Sequence, residues 1–378
     1  MAMKIPFEYG TIAENEYFID REEDRKELKM LLGGGINVAL VSPRRWGKSS
    51  LVKAAMDELA KEDKKVRVCY LDAYSVSSED DFYSKFASAV VQCAATSLEK
   101  SIADFKTFVQ SVVPSVSLSI DPANSIDLKL SYSPMKESAE KILDIPERIA
   151  ERKGLHIIVC IDEFQELAKF PGWKKMEGIM RSVWQNHHRA NYCLYGSKRH
   201  MMMNIFGNSN DPFYRFGQLK VLGKIAKEHW VPFVTKSFRD YGKRISDEMA
   251  GRICDTVECH SWYVQQFCFL IWTHTENEVT EELFYRQLKA LLDTNAVMFM
   301  QDIDTLSVSQ LSLLKAVAAG ESKLHSGSAA SKYNLGSAGN ITKNKRILVE
   351  RDVLEKTPDK SLRFVDPVFG LWFRREFL

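Results

Sequence analysis

The eight residues Ser42-Pro43-Arg44-Arg45-Trp46-Gly47-Lys48-Ser49 constrain this chain more than any other stretch. They follow the apolar run Val38–Val41 and lead at Ser50 into a segment where Leu51, Val52, Ala55, Met56 and Leu59 recur at helical spacing. A strand, a tight turn and a helix start, in that order, gather free N–H groups and the positive end of a helix dipole around one point. Such a point is a cradle for phosphate. Residues 42–50 would form it, with Lys48 reaching the β- and γ-phosphates and the Ser49 hydroxyl ligating Mg²⁺. The usual pattern opens on Gly, and Ser42 stands in that place. Main-chain cradling survives the change if Ser42 can take the local dihedrals. A chance Gly-Lys-Ser on a surface loop is the bland alternative, and the strand before it argues against that.

A second half of such a site must carry the metal and activate water. Leu155–Ile161 is apolar on successive residues and ends in Asp162-Glu163. An acid at the end of a buried strand lies at the carboxyl edge of a sheet, beside a phosphate loop. Asp162 is expected to orient Mg²⁺ and Glu163 to polarise the attacking water as general base. Tyr192–Tyr195 ends in Gly196-Ser197, and Ser197 is the candidate polar sensor. Arg215, after Asp211-Pro212-Phe213-Tyr214, is a candidate arginine finger, acting in its own chain or a neighbour's.

The 378 residues allow two or three domains. Candidate strands at Ile36–Val41, Val66–Asp72, Leu155–Ile161, Tyr192–Tyr195 and Gln218–Leu222 alternate with amphipathic helices, which predicts an α/β fold with a parallel sheet flanked by helices. The predicted division is a core over 1–225, an all-helical lid over 226–300 and a C-terminal domain over 301–378. Within the core, an alternating pattern over about 114–133 predicts a β-hairpin outside the main sheet. The tail predicts helices over Ser307–Ala319, Ser328–Tyr333 and Ser337–Lys356, then a hairpin-like segment from about Pro358 to Phe369.

With 52 basic and 50 acidic side chains, a uniformly basic nucleic-acid coat is excluded, though a local basic patch is not. No run of 18 apolar residues exists, so no membrane span is expected. Seven scattered cysteines, with no Cys-x-x-Cys pair, predict free thiols and a cytoplasmic protein.

Together these residues resemble the archaeal-type ATPases of the STAND/AAA+-like branch of P-loop NTPases, kin to origin-recognition ATPases. Phe18-Ile19-Asp20-Arg21-Glu22-Glu23 is similar to that family's N-terminal box, which implies a place for Arg21 in the adenine pocket. Pro43-Arg44-Arg45-Trp46-Gly47-Lys48-Ser49, Asp162-Glu163-Phe164-Gln165, Gly196-Ser197 and Pro212-Phe213-Tyr214-Arg215 also match. Cys259-His260-Ser261-Trp262-Tyr263-Val264-Gln265 is similar to a box near the nucleotide, with Cys259 and Ser261 replacing Gly and Pro. Asp366-Pro367-Val368-Phe369-Gly370-Leu371-Trp372 looks like the family's closing signature. The resemblance implies ATP and Mg²⁺ as cofactors, ATP and ADP as partners, a P-loop core, a helical lid and a C-terminal winged helix.

In a winged helix the second helix of the helix-turn-helix enters the major groove by its N-terminal end. That segment here includes Lys343, Asn344, Lys345 and Arg346, a plausible set for phosphates and bases. Against it, Gln301–Leu378 holds 12 Lys/Arg to 9 Asp/Glu, and winged helices also dock proteins. The leading reading is an ATP-hydrolysing switch, with nucleotide between core and lid, coupled to a DNA- or protein-binding winged helix, and with oligomerisation around Arg215 open. The alternative is a nucleotide-stabilised regulator that does not hydrolyse. A small-molecule kinase is disfavoured by the Asp162-Glu163 pair, which suits water attack.

Overall fold

Five short runs of buried apolar residues become the strands of one parallel sheet. They are β1 (Val38–Val41), β2 (Val66–Asp72), β3 (His156–Asp162), β4 (Ala190–Gly196) and β5 (Gln218–Val221), in the spatial order β2-β3-β4-β1-β5. The computed structural model describes residues 5–10, 19–94, 136–357, 359 and 361–378. The hairpin expected over 114–133 lies outside them. β1 and β4 are buried along their whole length, and β3 along its five central residues. Helices cover both faces, so these strands read as continuous apolar runs.

The flanking helices are α1 (Glu22–Gly33), α2 (Lys48–Glu62), α3 (Glu79–Ala94), α4 (Lys136–Leu143), α5 (Ile145–Lys153), α6 (Trp173–Trp184) and α7 (Arg199–Gly207). The core between sheet and helices is aromatic at one end, where Trp184 stacks on Tyr192 at 4.1 Å between ring centres and Phe213 meets Phe216 edge-on at 5.0 Å. Buried Glu147 sets the start of β4 by accepting hydrogen bonds from the N–H groups of His188, Arg189 and Ala190 at 2.8–3.1 Å. Three donors on one carboxylate are what allow a charge to be buried there.

The described chain divides into two compact units. One comprises Arg21–Arg44 and Lys48–Leu222; the other comprises Gly223–Leu378 together with Arg45–Gly47 and the N-terminal residues to Asp20. The second unit is helical from α8 (Lys227–Asp240) through α9 (Asp247–Thr256), α10 (Ser261–His274) and α11 (Glu281–Asp304). It continues as α12 (Val308–Ala318), α13 (Gly327–Lys332), α14 (Ala338–Glu350), the antiparallel pair β6 (Leu354–Lys356) and β7 (Leu362–Phe364), and α15 (Pro367–Phe377). Segments expected as lid and winged helix thus share one unit.

Two expectations for the tail are corrected. The helix predicted to run to Lys356 ends at Glu350, because Asp352 turns left-handed (φ 55°) and the chain re-enters as β6. The hairpin is correspondingly earlier, and Pro367 opens α15, where a missing N–H costs nothing. Asp366 caps that helix, accepting from the Val368 and Phe369 N–H groups at 2.9 Å. Trp372 and Phe369 then pack on Phe299 of α11 at 5.5 and 5.3 Å. Among the described residues, no helix is long and apolar enough to cross a membrane.

Candidate functional site

β4 is hydrogen-bonded to both β1 and β3, so the carboxyl ends of these three parallel strands lie side by side. Whatever follows each strand is delivered to one edge. β1 delivers the loop 42–47, β3 delivers Asp162 and Glu163, and β4 delivers Gly196 and Ser197. β2 adds Asp72, registered against Asp162.

Ser42 needs no glycine in its place. The left-handed residues of the loop are Arg45 (φ 66°) and Gly47 (φ 85°), while Ser42 keeps an ordinary backbone, is buried, and donates its N–H to the Gly196 carbonyl at 3.2 Å. Gly47 leads directly into α2, whose first residues are Lys48, Ser49 and buried Ser50.

Lys48 is 6% exposed. Its Nζ lies 3.0 Å from Asp162 Oδ1, 3.6 Å from Glu163 Oε1, and 5.2 Å from the centre of the Tyr195 ring. Ser49 Oγ donates to Asp162 Oδ2 at 2.6 Å. Glu163 is left-handed (φ 48°) and donates its N–H to Asp162 Oδ1 at 2.8 Å, which breaks the strand direction. Its Oε2 accepts from Ser197 Oγ at 2.7 Å, from the Ser197 N–H at 3.2 Å, and from Gln165 Nε2.

Burial pushes the Glu163 carboxyl up, but the Lys48 charge and the hydrogen bonds from Ser197 and Gln165 outweigh it. The group sits below the ordinary glutamate value and is ionised at neutral pH. Asp72 moves the other way. Burial, reinforced by the charges of Asp162 and Glu163, holds it above the usual carboxylate range against the Tyr74 N–H and Lys48.

The fold therefore brings Lys48, Ser49, Asp162, Glu163 and Ser197 together, as the sequence suggested. It also adds Gln165, Tyr195 and Asp72. Gln165 is fully buried beside Gly196, where an added Cβ would fall 1.9 Å from its Oε1, and that oxygen has no hydrogen-bond partner among the described residues. Asp72 carried a readable signal, an acid ending an apolar strand. Gln165 entered the sequence reading only as the last residue of a matching motif, with no role, and Tyr195 only as a strand residue.

Arg21 heads α1, is buried, and pairs with Asp24 at 3.2 Å. Lys220, registered against Leu40 in β1, holds Asp24 at 2.8 Å, so the start of α1 lies toward the same carboxyl edge. Arg215 is placed otherwise. It precedes β5, whose first residue Gln218 pairs with Val38, so it sits at the amino edge. The strand rise puts about 10 Å of β1 between that edge and the loop. Of the two roles left open for Arg215, in its own chain or a neighbour's, this topology sets it apart from the carboxyl edge of its own sheet. Its exposed guanidinium lies 5.2 Å from the Tyr214 ring, with no ion-pair acid among the described residues.

In the second unit, the Arg45 guanidinium lies 4.5 Å from the Trp262 ring centre, and Trp46 meets His260 edge-on at 6.4 Å. Tyr263 donates its hydroxyl to Asp366 Oδ2 at 2.6 Å. Burial, with the charges of Lys224 and Arg45, holds the His260 imidazole down to about 3, so it is neutral at pH 7. Its Nδ1 is buried without a hydrogen-bond partner among the described residues.

On α14, Lys343 and Arg346 are exposed and Lys345 is half-buried. Asn344 is corrected: it is buried and donates to Asn340 Oδ1 at 3.3 Å, so it faces the domain's own core and not a groove.

Residues 45–169 match the KAP family P-loop domain, and residues 297–375 match a probable winged helix domain. A sequence comparison with curated proteins returns no match. Among solved structures, the chain is similar to the Walker-type ATPase PABY2304 of Pyrococcus abyssi, at 18% identity and a TM-score of 0.72 over 98% of this chain and 100% of that one. It is also similar to the ORC2 protein of Aeropyrum pernix in its ADPNP-ADP complexes, at 12% identity and a TM-score of 0.57 over 98% and 99%. The ADP form of that protein aligns at 11% identity and a TM-score of 0.54 over 98% and 97%. The fold is that of a P-loop NTPase followed by a helical region with a winged helix.

Proposed function

We propose that the chain is an ATP-binding and ATP-hydrolysing switch whose nucleotide state is relayed to its winged helix. One observation carries the reading: Lys48, Ser49, Asp162, Glu163 and Ser197 converge at the carboxyl ends of three adjacent strands, behind a loop that opens a helix. The nucleotide complexes of the ORC2 protein support it by the same fold.

Mg²⁺ fits the donors present, since Ser49 Oγ and an Asp162 carboxylate oxygen are hard ligands already 2.6 Å apart. When bound there, it would neutralise charge across the phosphates. The chain's own residues do the rest. The loop N–H groups and the start of α2 hold the triphosphate, and Lys48 exchanges its contact with Asp162 for phosphate oxygens. Glu163, kept ionised, accepts a proton from the attacking water, with Ser197 and Gln165 holding its other oxygen. Arg21 takes a place near the base.

Arg45 is the proposed relay. It belongs to the loop by sequence and stacks on Trp262, next to the Tyr263–Asp366 bond at the head of α15. Arg215, exposed and with no acid partner among the described residues, is free to serve a neighbouring copy.

A regulator that binds nucleotide without turnover is the second reading, favoured by the engagement of Glu163 with Ser197, Gln165 and Lys48. Glu163→Gln separates the two. The switch predicts measurable ATP turnover by the wild type and its loss in the variant, with ATP binding retained. Absence of turnover in the wild type would leave the regulator.

The winged helix is proposed to contact duplex DNA through Lys343, Lys345 and Arg346. Affinity that falls steeply with salt supports this, and no salt-dependent affinity removes it in favour of protein docking.

A further inference from the structure

Helix α9 closes with two successive left-handed residues, Glu258 (φ 49°) and Cys259 (φ 52°). The Glu258 N–H donates to the Asp255 carbonyl at 3.1 Å and the Cys259 N–H to the Cys254 carbonyl at 2.7 Å. This paired 5→2 and 6→1 closure brings the side chains of the third-last helical residue and the residue two past the cap into contact. Apolar side chains usually fill that contact. Here both positions are cysteines. The main-chain bond limits their Cα separation to about 6.5 Å by standard backbone dimensions, inside the roughly 4.4–6.8 Å that a disulfide spans.

We propose that Cys254 and Cys259 form an oxidisable dithiol, closed to a reversible disulfide by a hydroperoxide. Cys259 is the attacking group, being half-buried, while Cys254 is fully buried. The neighbouring Cys254 thiol outweighs burial at Cys259, and with Lys224 and Lys227 it lowers the thiol to about 7 despite the nearby Asp255. Its thiolate attacks a peroxide oxygen, so that an S–O bond forms, the O–O bond breaks and hydroxide leaves. The Cys254 sulfur then attacks the sulfenic acid. An S–S bond forms, the S–O bond breaks, and hydroxide departs as water with the thiol proton. Two thiols lose two electrons and two protons, and one hydrogen peroxide becomes two waters.

Other cysteine pairs are internal controls. Burial pushes Cys160, registered against Cys193 in the sheet, far up, and contact with Cys93 together with burial does the same to Cys69. This inference does not rest on the ATPase reading.

The test treats the reduced full chain at pH 7 with hydrogen peroxide, alkylates remaining thiols after denaturation, and cleaves at Glu258, which separates the two cysteines. The expected result is a Cys254–Cys259 cross-link lacking two hydrogens, reversed by dithiothreitol, while Cys160, Cys193 and Cys268 stay alkylatable. Cys254→Ser should leave Cys259 as a sulfenic acid that dimedone captures. Recovery of both cysteines as free thiols at doses that oxidise the controls would overturn the proposal. So would an over-oxidised Cys259 beside a free Cys254 in the wild type.

Discussion

At the scale of single residues, the chemistry rests on how Glu163 is held. Lys48 and Ser197 lower its carboxyl below the unfolded value, so it gives up its proton in the fold before it would in the free chain. Its contribution to stability is present above the unfolded pKa and lost as pH falls through the folded one. Activity should follow the same sense, with an acid limb lying below the ordinary glutamate range. Ser197→Ala removes the Oγ contact while keeping the N–H, and should move that limb to higher pH while lowering kcat; an unshifted pH–rate profile would show that the Ser197 hydroxyl does not restrain the base. Glu163→Gln should lower turnover by about 10²–10⁴, the usual worth of a general base. Asp162 and Glu163 were legible in the sequence because five successive apolar residues before them could only be a covered strand. The motif included Gln165 but not its role, which depends on the absence of a side chain at Gly196, the last residue of the adjacent strand β4.

At the scale of elements, turns and caps decide what periodicity cannot. The apolar spacing of α14 marked a helix but did not say which face was inward, and Asn344 proves to be buried. Asn344→Ala should therefore destabilise the domain by about 1 kcal/mol, whereas Lys343→Ala should leave its melting temperature unchanged; thermal unfolding of the two variants distinguishes them. Gly370 in α15 approaches Phe364 so closely that an added Cβ would lie 3.1 Å from its ring. Gly370→Ala should cost roughly 1–3 kcal/mol by overpacking, read in the same experiment. The turn before α10 carries a pH signature. His260 stays neutral in the fold down to about 3, while in the unfolded chain it protonates near its ordinary 6.5. Stability from this group is complete above that unfolded value and declines as pH falls toward the folded one, and His260→Phe should flatten that part of the stability–pH curve. The left-handed pair Glu258–Cys259 could not be read from sequence, because neither residue favours that conformation by itself.

For the whole molecule, the order of strands is what the linear chain concealed. The parallel sheet and the phosphate loop followed from local pattern. The placement of Arg215 at the amino edge required knowing that β5 pairs with β1 in register from Val38. The account's central claim is that a triphosphate binds against residues 42–50 with Lys48 at its phosphates. Isothermal titration of ATP and Mg²⁺ into the wild type and Lys48→Ala, with melting temperature followed in parallel, tests it most directly. The account predicts saturable binding by the wild type, with about 2.7 kcal/mol of added stability at a hundredfold excess over Kd, and loss of both in Lys48→Ala. Equal binding and equal stabilisation in the two proteins would contradict it.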